Sequence, residues 1–128
     1  MKKAKKQLLV VDDDNLVRKT LADMLGNSDT EVTQASNGQE ALELATKDKF
    51  DLIVTDVHMP VMDGMEFIRQ FRLTEHGKTT PVIIMTADGS GAMLNKALVE
   101  GVSVYLSKSS QEAEEIVQQI RLAMGLKQ

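Results

Sequence analysis

This chain of 128 residues has no cysteine, no tryptophan and only two prolines, Pro60 and Pro81. The first absence rules out a disulfide framework, thiolate chemistry and a cysteine-ligated zinc site. It also fits a reducing compartment, so the expected location is the cytoplasm. Aromatics number four, Phe50, Phe67, Phe71 and Tyr105, and the one basic cluster is Lys2, Lys3, Lys5 and Lys6. With 15 basic against 19 acidic residues and a net charge of −4, the chain lacks the basic stripe with stacking aromatics that a nucleic-acid surface needs. No apolar run approaches the about 18 residues of a membrane span. The run after the lysines, Leu8 to Val11, is too short for an export signal. These exclusions leave one domain at 1–128, long enough to bury a core without staples, with residues 1–6 a solvated basic tail.

Strand and helix signals alternate along the chain. Apolar, β-branched runs sit at Gln7–Val11, Glu31–Ala35, Leu52–Thr55, Val82–Thr86 and Ser103–Tyr105. Between them, Leu16, Val17, Thr20, Leu21, Met24 and Leu25 repeat at helical spacing, as do Ala113, Ile116, Val117, Ile120, Ala123 and Met124. Capping-box spacing marks Ser36 with Gln39, Asp63 with Glu66 and Ser109 with Glu112, while Gly26 and Gly101 are expected helix stops. Five strands alternating with five helices predict an α/β domain. Its parallel sheet is covered on both faces, because parallel neighbours need right-handed crossover connections.

Acidic residues follow two of these strands. Asp12-Asp13-Asp14 ends the first, and Asp56 ends the third in the run Asp51-Leu-Ile-Val-Thr-Asp56-Val-His-Met-Pro60-Val-Met-Asp63-Gly64. Open α/β sheets place their ligand crevice at such carboxyl ends. Carboxylates gathered there repel one another unless a cation sits between them. Magnesium suits the position, since it prefers oxygen ligands and is held by one or two carboxylates with phosphate oxygens.

The residues Val10-Val11-Asp12-Asp13, Asp56 in Asp-x-x-Met-Pro-x-Met-Asp-Gly, Thr86-Ala87, and Tyr105 three residues before Lys108 occur in order, each near a strand end. On them the chain resembles a response-regulator receiver domain, of the single-domain, chemotaxis-regulator type, over essentially its whole length. The resemblance implies a (βα)5 flavodoxin-like three-layer sandwich with strand order 2-1-3-4-5, an order taken from the family. It implies that Asp56 is the phosphoacceptor in a phosphorelay, phosphorylated by a histidine kinase or histidine phosphotransfer protein. Asp12, Asp13, Asp56 and the main-chain carbonyl of His58 then hold Mg²⁺, with Mn²⁺ as a substitute and Asp12 acting largely through water. Lys108, the Thr86 hydroxyl and the Ala87 N–H meet the phosphoryl oxygens. Thr86 and Tyr105 switch the surface of the fourth helix, fifth strand and fifth helix, which signals to a downstream protein. The side chains of His58 and Asp88 tune dephosphorylation. The only catalysis implied is of the protein's own phosphorylation and dephosphorylation, in a monomer or weak dimer.

Plainer readings compete residue by residue. Asp14 and Asp63 have full explanations as helix caps. Thr86 on its own is a β-branched strand end, Tyr105 a core edge, Lys108 a surface lysine, and His58 an exposed loop histidine. His76, in the polar stretch Thr74 to Thr80, is solvated. Asp88-Gly89-Ser90-Gly91 places two glycines before the fourth helix and makes that loop the expected hinge. The chain departs from the family at Ser109, where receivers carry proline after a cis bond. A cis bond before a non-proline residue costs about 2.5 to 4 kcal/mol, which puts the reach of Lys108 in question. Gly101-Val-Ser-Val-Tyr105 lacks the acidic pair of the winged-helix regulators, which weakens the case for their dimer mode. The rival readings are a haloacid-dehalogenase-like phosphatase with Asp12 of Asp12-x-Asp14 as nucleophile, a phosphorylation-independent binding module, and a flavodoxin-type FMN protein. The last fails because the first loop is acidic where a phosphate cradle needs donors.

Overall fold

The computed structural model describes residues 5–87, 95, 99, 101–102, 104–107 (backbone only) and 113–125. Strand β1 is Lys6–Val11, β2 Thr30–Ala35, β3 Leu52–Thr55, β4 Val82–Thr86 and β5 Val104–Ser107. Helix α1 is Asn15–Leu25, α2 Gly38–Lys47, α3 Gly64–Phe71 and α4 Ala113–Ala123, with a 3-10 turn at His76–Lys78. Here α4 is the last helix of the chain. Of the stretch expected as the fourth, only Asn95 and Val99 are described, both helical. All strand pairs are parallel and the sheet runs β2-β1-β3-β4-β5, the expected order.

The strands read as continuous apolar runs because both faces of the sheet are covered. Alternate residues feed two separate clusters. Leu9, Val11, Ile53, Val82 and Ile84 pack with Ala41 and Ala45 of α2 and with Phe67, Ile68 and Phe71 of α3. Leu8, Val10, Leu52, Val54, Ile83 and Met85 pack on the other side with Leu21 and Leu25 of α1 and with Ile116, Val117 and Ile120 of α4. Phe67 and Phe71, one helical turn apart, stack at 5.7 Å between centroids. Among the described residues, no helix is long and apolar enough to cross a membrane.

The helix starts are fixed by short acceptors. The Asp14 carboxylate accepts from the N–H groups of Leu16 and Val17, at 2.9 and 3.3 Å, and Asp63 accepts from Glu66 N–H at 2.8 Å. The start of α2 corrects the reading of Ser36 with Gln39. Asn37 is the cap and accepts from Glu40 N–H at 2.8 Å, while the Glu40 carboxylate reaches back to Ser36 N–H at 3.3 Å. Both residues are good caps; Asn37 takes the position, and the Glu40 carboxylate three residues on returns to the residue before the cap. Gly26 stops α1 as expected, as its C-cap in extended backbone (φ −72°), with its N–H donating to Ala22 C=O at 2.8 Å. Gly101 has the left-handed backbone, φ +75°, that glycine adopts readily. The Ser109–Glu112 pair and the 88–91 loop lie outside the described residues.

Strands β1 and β2 begin one residue earlier than their apolar pattern suggests, where Lys6 pairs with Thr30. Strand β5 runs on to Ser107, which pairs with Thr86, so the ladder to β4 carries it past the Tyr105 end of the apolar run.

Candidate functional site

The register of the sheet brings the acidic residues together. Val11 pairs with Thr55, so Asp12 and Asp56 leave neighbouring strands at the same level, and Asp56 N–H donates to Val11 C=O at 2.8 Å. Asp13 follows on the same turn. Carboxylate oxygens of Asp12, Asp13 and Asp56 all lie within 4.8 Å of one another. Burial differs sharply within the group. Asp12 is fully buried, Asp56 is 7% exposed and Asp13 is exposed.

Two of the three carboxylates are oriented by the backbone just beyond them. Asp14 N–H donates to Asp12 Oδ1 at 2.9 Å, and Val57 N–H donates to Asp56 Oδ1 at 2.7 Å. Such bonds to an ionised acceptor are stronger than neutral ones and set the rotamer. The Thr55 hydroxyl donates to the Asp56 carbonyl at 2.8 Å. This donor set consists of hard oxygens of like charge, one fully desolvated, converging on one point. It fits a small divalent cation of the magnesium type.

The strand ends place the remaining expected residues with different completeness. Thr86 closes β4 and is buried; Ile84 pairs with Thr55, so Thr86 stands further along the same edge, and Ala87 beside it is exposed. Tyr105 lies in β5 opposite Ile84, but its side chain is outside the described residues. Lys108, Ser109 and Asp88 are outside them altogether. Lys108 directly follows Ser107, the residue paired with Thr86. His58 is exposed in the loop after β3.

That loop holds two features the residues did not announce. Val61 has φ +70°, closed by a hydrogen bond from Met62 N–H to Pro60 C=O at 2.8 Å. This is the rarer, strained form of the three-residue turn, and a β-branched side chain makes it costlier. Gly64 packs against the backbone of the Asp56 strand. Its N–H donates to Val57 C=O at 2.7 Å, and a Cβ there would lie 2.0 Å from the Asp56 carbonyl oxygen. The Asp63-Gly64 pair was visible in the chain as part of a motif, while the contact that requires glycine is tertiary. Further along α3, the Arg69 guanidinium, then the Gln70 amide, holds the Glu66 carboxyl down from 4.5 to about 2.

Comparison with known proteins agrees with this geometry. Residues 8–121 match the family model described as the response regulator receiver domain. The chain is 40% identical over 102 residues to the response regulator MprA of Mycolicibacterium vanbaalenii, covering 80% of this chain and 43% of that protein. It is 40% identical over 122 residues to an uncharacterized 14.6 kDa protein of Leptolyngbya boryana, covering 94% and 93% of the two. It thus spans about half the length of the first three curated relatives it matches, between 43% and 54%. Among solved structures it is similar to the chemotaxis response regulator CheY4 of Vibrio cholerae, with TM-score 0.85, 31% identity and coverage of 94% and 99%. It also resembles the receiver domain of the sensor histidine kinase PA1611 of Pseudomonas aeruginosa, with TM-score 0.80, 27% identity and coverage of 95% and 99%. That structure has a magnesium ion coordinated in its active-site cleft.

Proposed function

Because the chain belongs to the response regulator receiver family of two-component signalling, we propose that it is a magnesium-dependent phosphoacceptor. Asp56 takes the phosphoryl group from a histidine kinase or histidine phosphotransfer protein. The observation that carries this reading is the position of Asp56: at the end of β3, within 4.8 Å of Asp12 and Asp13, and still 7% exposed.

In the forward step a carboxylate oxygen of Asp56 attacks phosphorus. The P–N bond of the donor breaks, its electron pair returns to the imidazole, and an acyl phosphate remains on Asp56. Water attacking the same phosphorus later restores the carboxylate and releases inorganic phosphate. Asp12, Asp13, Asp56 and the His58 carbonyl hold the cation. When bound, Mg²⁺ offsets the charge gathered between carboxylates and phosphoryl oxygens. Val57 N–H, on Asp56 Oδ1, fixes the nucleophile's rotamer before the donor arrives. Lys108, the Thr86 hydroxyl and Ala87 N–H receive the transferred oxygens, and the added charge draws Thr86 and Tyr105 into a second arrangement that a downstream protein reads. The His58 and Asp88 side chains set the lifetime of the acyl phosphate. The phosphatase reading asks Asp12 to be the nucleophile, and its complete burial opposes an in-line approach there.

The test is intact mass after incubation with acetyl phosphate, with and without Mg²⁺, for the wild type and Asp56→Asn. One phosphoryl adduct that requires both Mg²⁺ and Asp56 is the expected result. An adduct that survives Asp56→Asn, or none from either acetyl phosphate or a histidine kinase, would overturn the reading.

A further inference from the structure

Arg18 occupies the second turn of α1 and points back at the acidic turn. Its Nη1 donates to the main-chain carbonyl of Asp12 at 2.6 Å, and its Nη2 donates to Asn15 Oδ1 at 2.9 Å. The guanidinium is half-buried, and its planar fork is thus held at two points, one on each Nη. We propose that Arg18 is a positioning residue for the cation site. By fixing the Asp12 carbonyl it fixes the planar peptide that leads into Asp13, the one exposed carboxylate of the three. Asp12 is already held by burial and by Asp14 N–H, and Asp56 by Val57 N–H. The hydrogen bonds described for the turn give Asp13 no such hold on its own carboxylate, so its aim depends on the peptide before it.

The inference rests on the reading of Asp12, Asp13 and Asp56 as metal ligands. It sets two effects of one side chain against each other. As a positive charge beside the acidic turn, Arg18 repels a dication, and its loss would tighten binding. As a clamp it pre-aims a ligand, and its loss would weaken binding. Outer residues that orient metal ligands typically change affinity by about 10- to 100-fold. The clamp is the larger effect here because the guanidinium bonds a carbonyl directly, whereas its charge is partly screened by solvent.

The deciding experiment is calorimetric titration of the unphosphorylated protein with MgCl₂, for the wild type, Arg18→Met, Arg18→Lys and Asn15→Ala, with Asp13→Asn as the control for the site itself. Arg18→Met is expected to weaken Mg²⁺ about 10-fold. Arg18→Lys keeps the charge but cannot reach two acceptors with one planar fork, so it recovers little. Asn15→Ala, which frees one arm of the fork, should weaken binding about 2- to 3-fold, a smaller effect than losing the whole clamp. Unchanged or tighter binding by Arg18→Met, or wild-type affinity in Arg18→Lys, would overturn the clamp and leave the metal site standing. Failure of the wild type itself to bind Mg²⁺ would overturn both. Should Arg18→Met fail to fold, Arg18→Lys and Asn15→Ala decide the question.

Discussion

The two edges of the one sheet treat charge in opposite ways. At the amino edge, charges are spent on the backbone. The Asp51 carboxylate accepts from Gln7 N–H at 2.7 Å, and the Arg72 guanidinium donates to the carbonyls of Gly77, Thr80 and Gly101 at 2.9, 2.6 and 3.1 Å. One side chain there joins the 3-10 turn, the entry to β4 and the left-handed stop at Gly101. At the carboxyl edge, three carboxylates converge, one of them fully buried, beside a turn strained at Val61. The amino edge is built for stability. The carboxyl edge gathers buried like charge and a strained turn, both of which cost stability.

Substitutions can break that contrast, the severest at the carboxyl edge. Gly64→Ala drives a Cβ against the Asp56 carbonyl, so we expect a loss of about 3 kcal/mol in urea unfolding and, with Asp56 as the proposed phosphoacceptor, a fall of about 100-fold in the rate of acetyl phosphate labelling because Asp56 is displaced. Arg72→Met should cost about 2 to 3 kcal/mol by leaving carbonyls without their donor, while Mg²⁺ affinity stays at the wild-type value. A matching loss of affinity would show that the edges are coupled. Mg²⁺ at ten times its dissociation constant should stabilise the wild type by about 1.4 kcal/mol, read as a rise in melting temperature that Asp13→Asn abolishes. Thr30→Val, at the amino edge, should stabilise by about 1 kcal/mol, because the Thr30 hydroxyl is buried without a partner. The smallest effect concerns Glu66. Its carboxyl is held at about 2 against 4.5, so it contributes stability above pH 4.5 that is lost as pH falls toward 2. Glu66→Gln should flatten that acid limb slightly, and less so in high salt, as the Arg69 pair is exposed.

The amino-acid pattern foretold most of this. The strand runs, the parallel sheet and all three acidic residues were legible because burial on both faces writes continuous apolar runs, and each strand end sets the position of the residues just beyond it. The misreadings have local causes. Ser36 and Asn37 are both good caps, and only the reach of Glu40 chooses between them. The positive φ of Val61 was not foreseen, since a β-branched residue argues against it. The demand for glycine at position 64 and the grip of Arg18 on Asp12 are contacts between parts of the chain, which a linear pattern does not encode.

The sheet itself is a partition. Among the described residues, no buried side chain belongs to both clusters, because neighbouring residues along each strand face opposite layers. The layer under α2 and α3 and the layer under α1 and α4 can therefore be repacked one at a time, each remaking an outer face while the other keeps its shape. The strand ends carrying Asp12 and Asp56 are anchored in both layers, through Val11 and Val57 on one side and Val10 and Val54 on the other. Substitutions in one layer thus reshape one outer face, while the residues of the other layer keep the Asp12 and Asp56 strand ends in register.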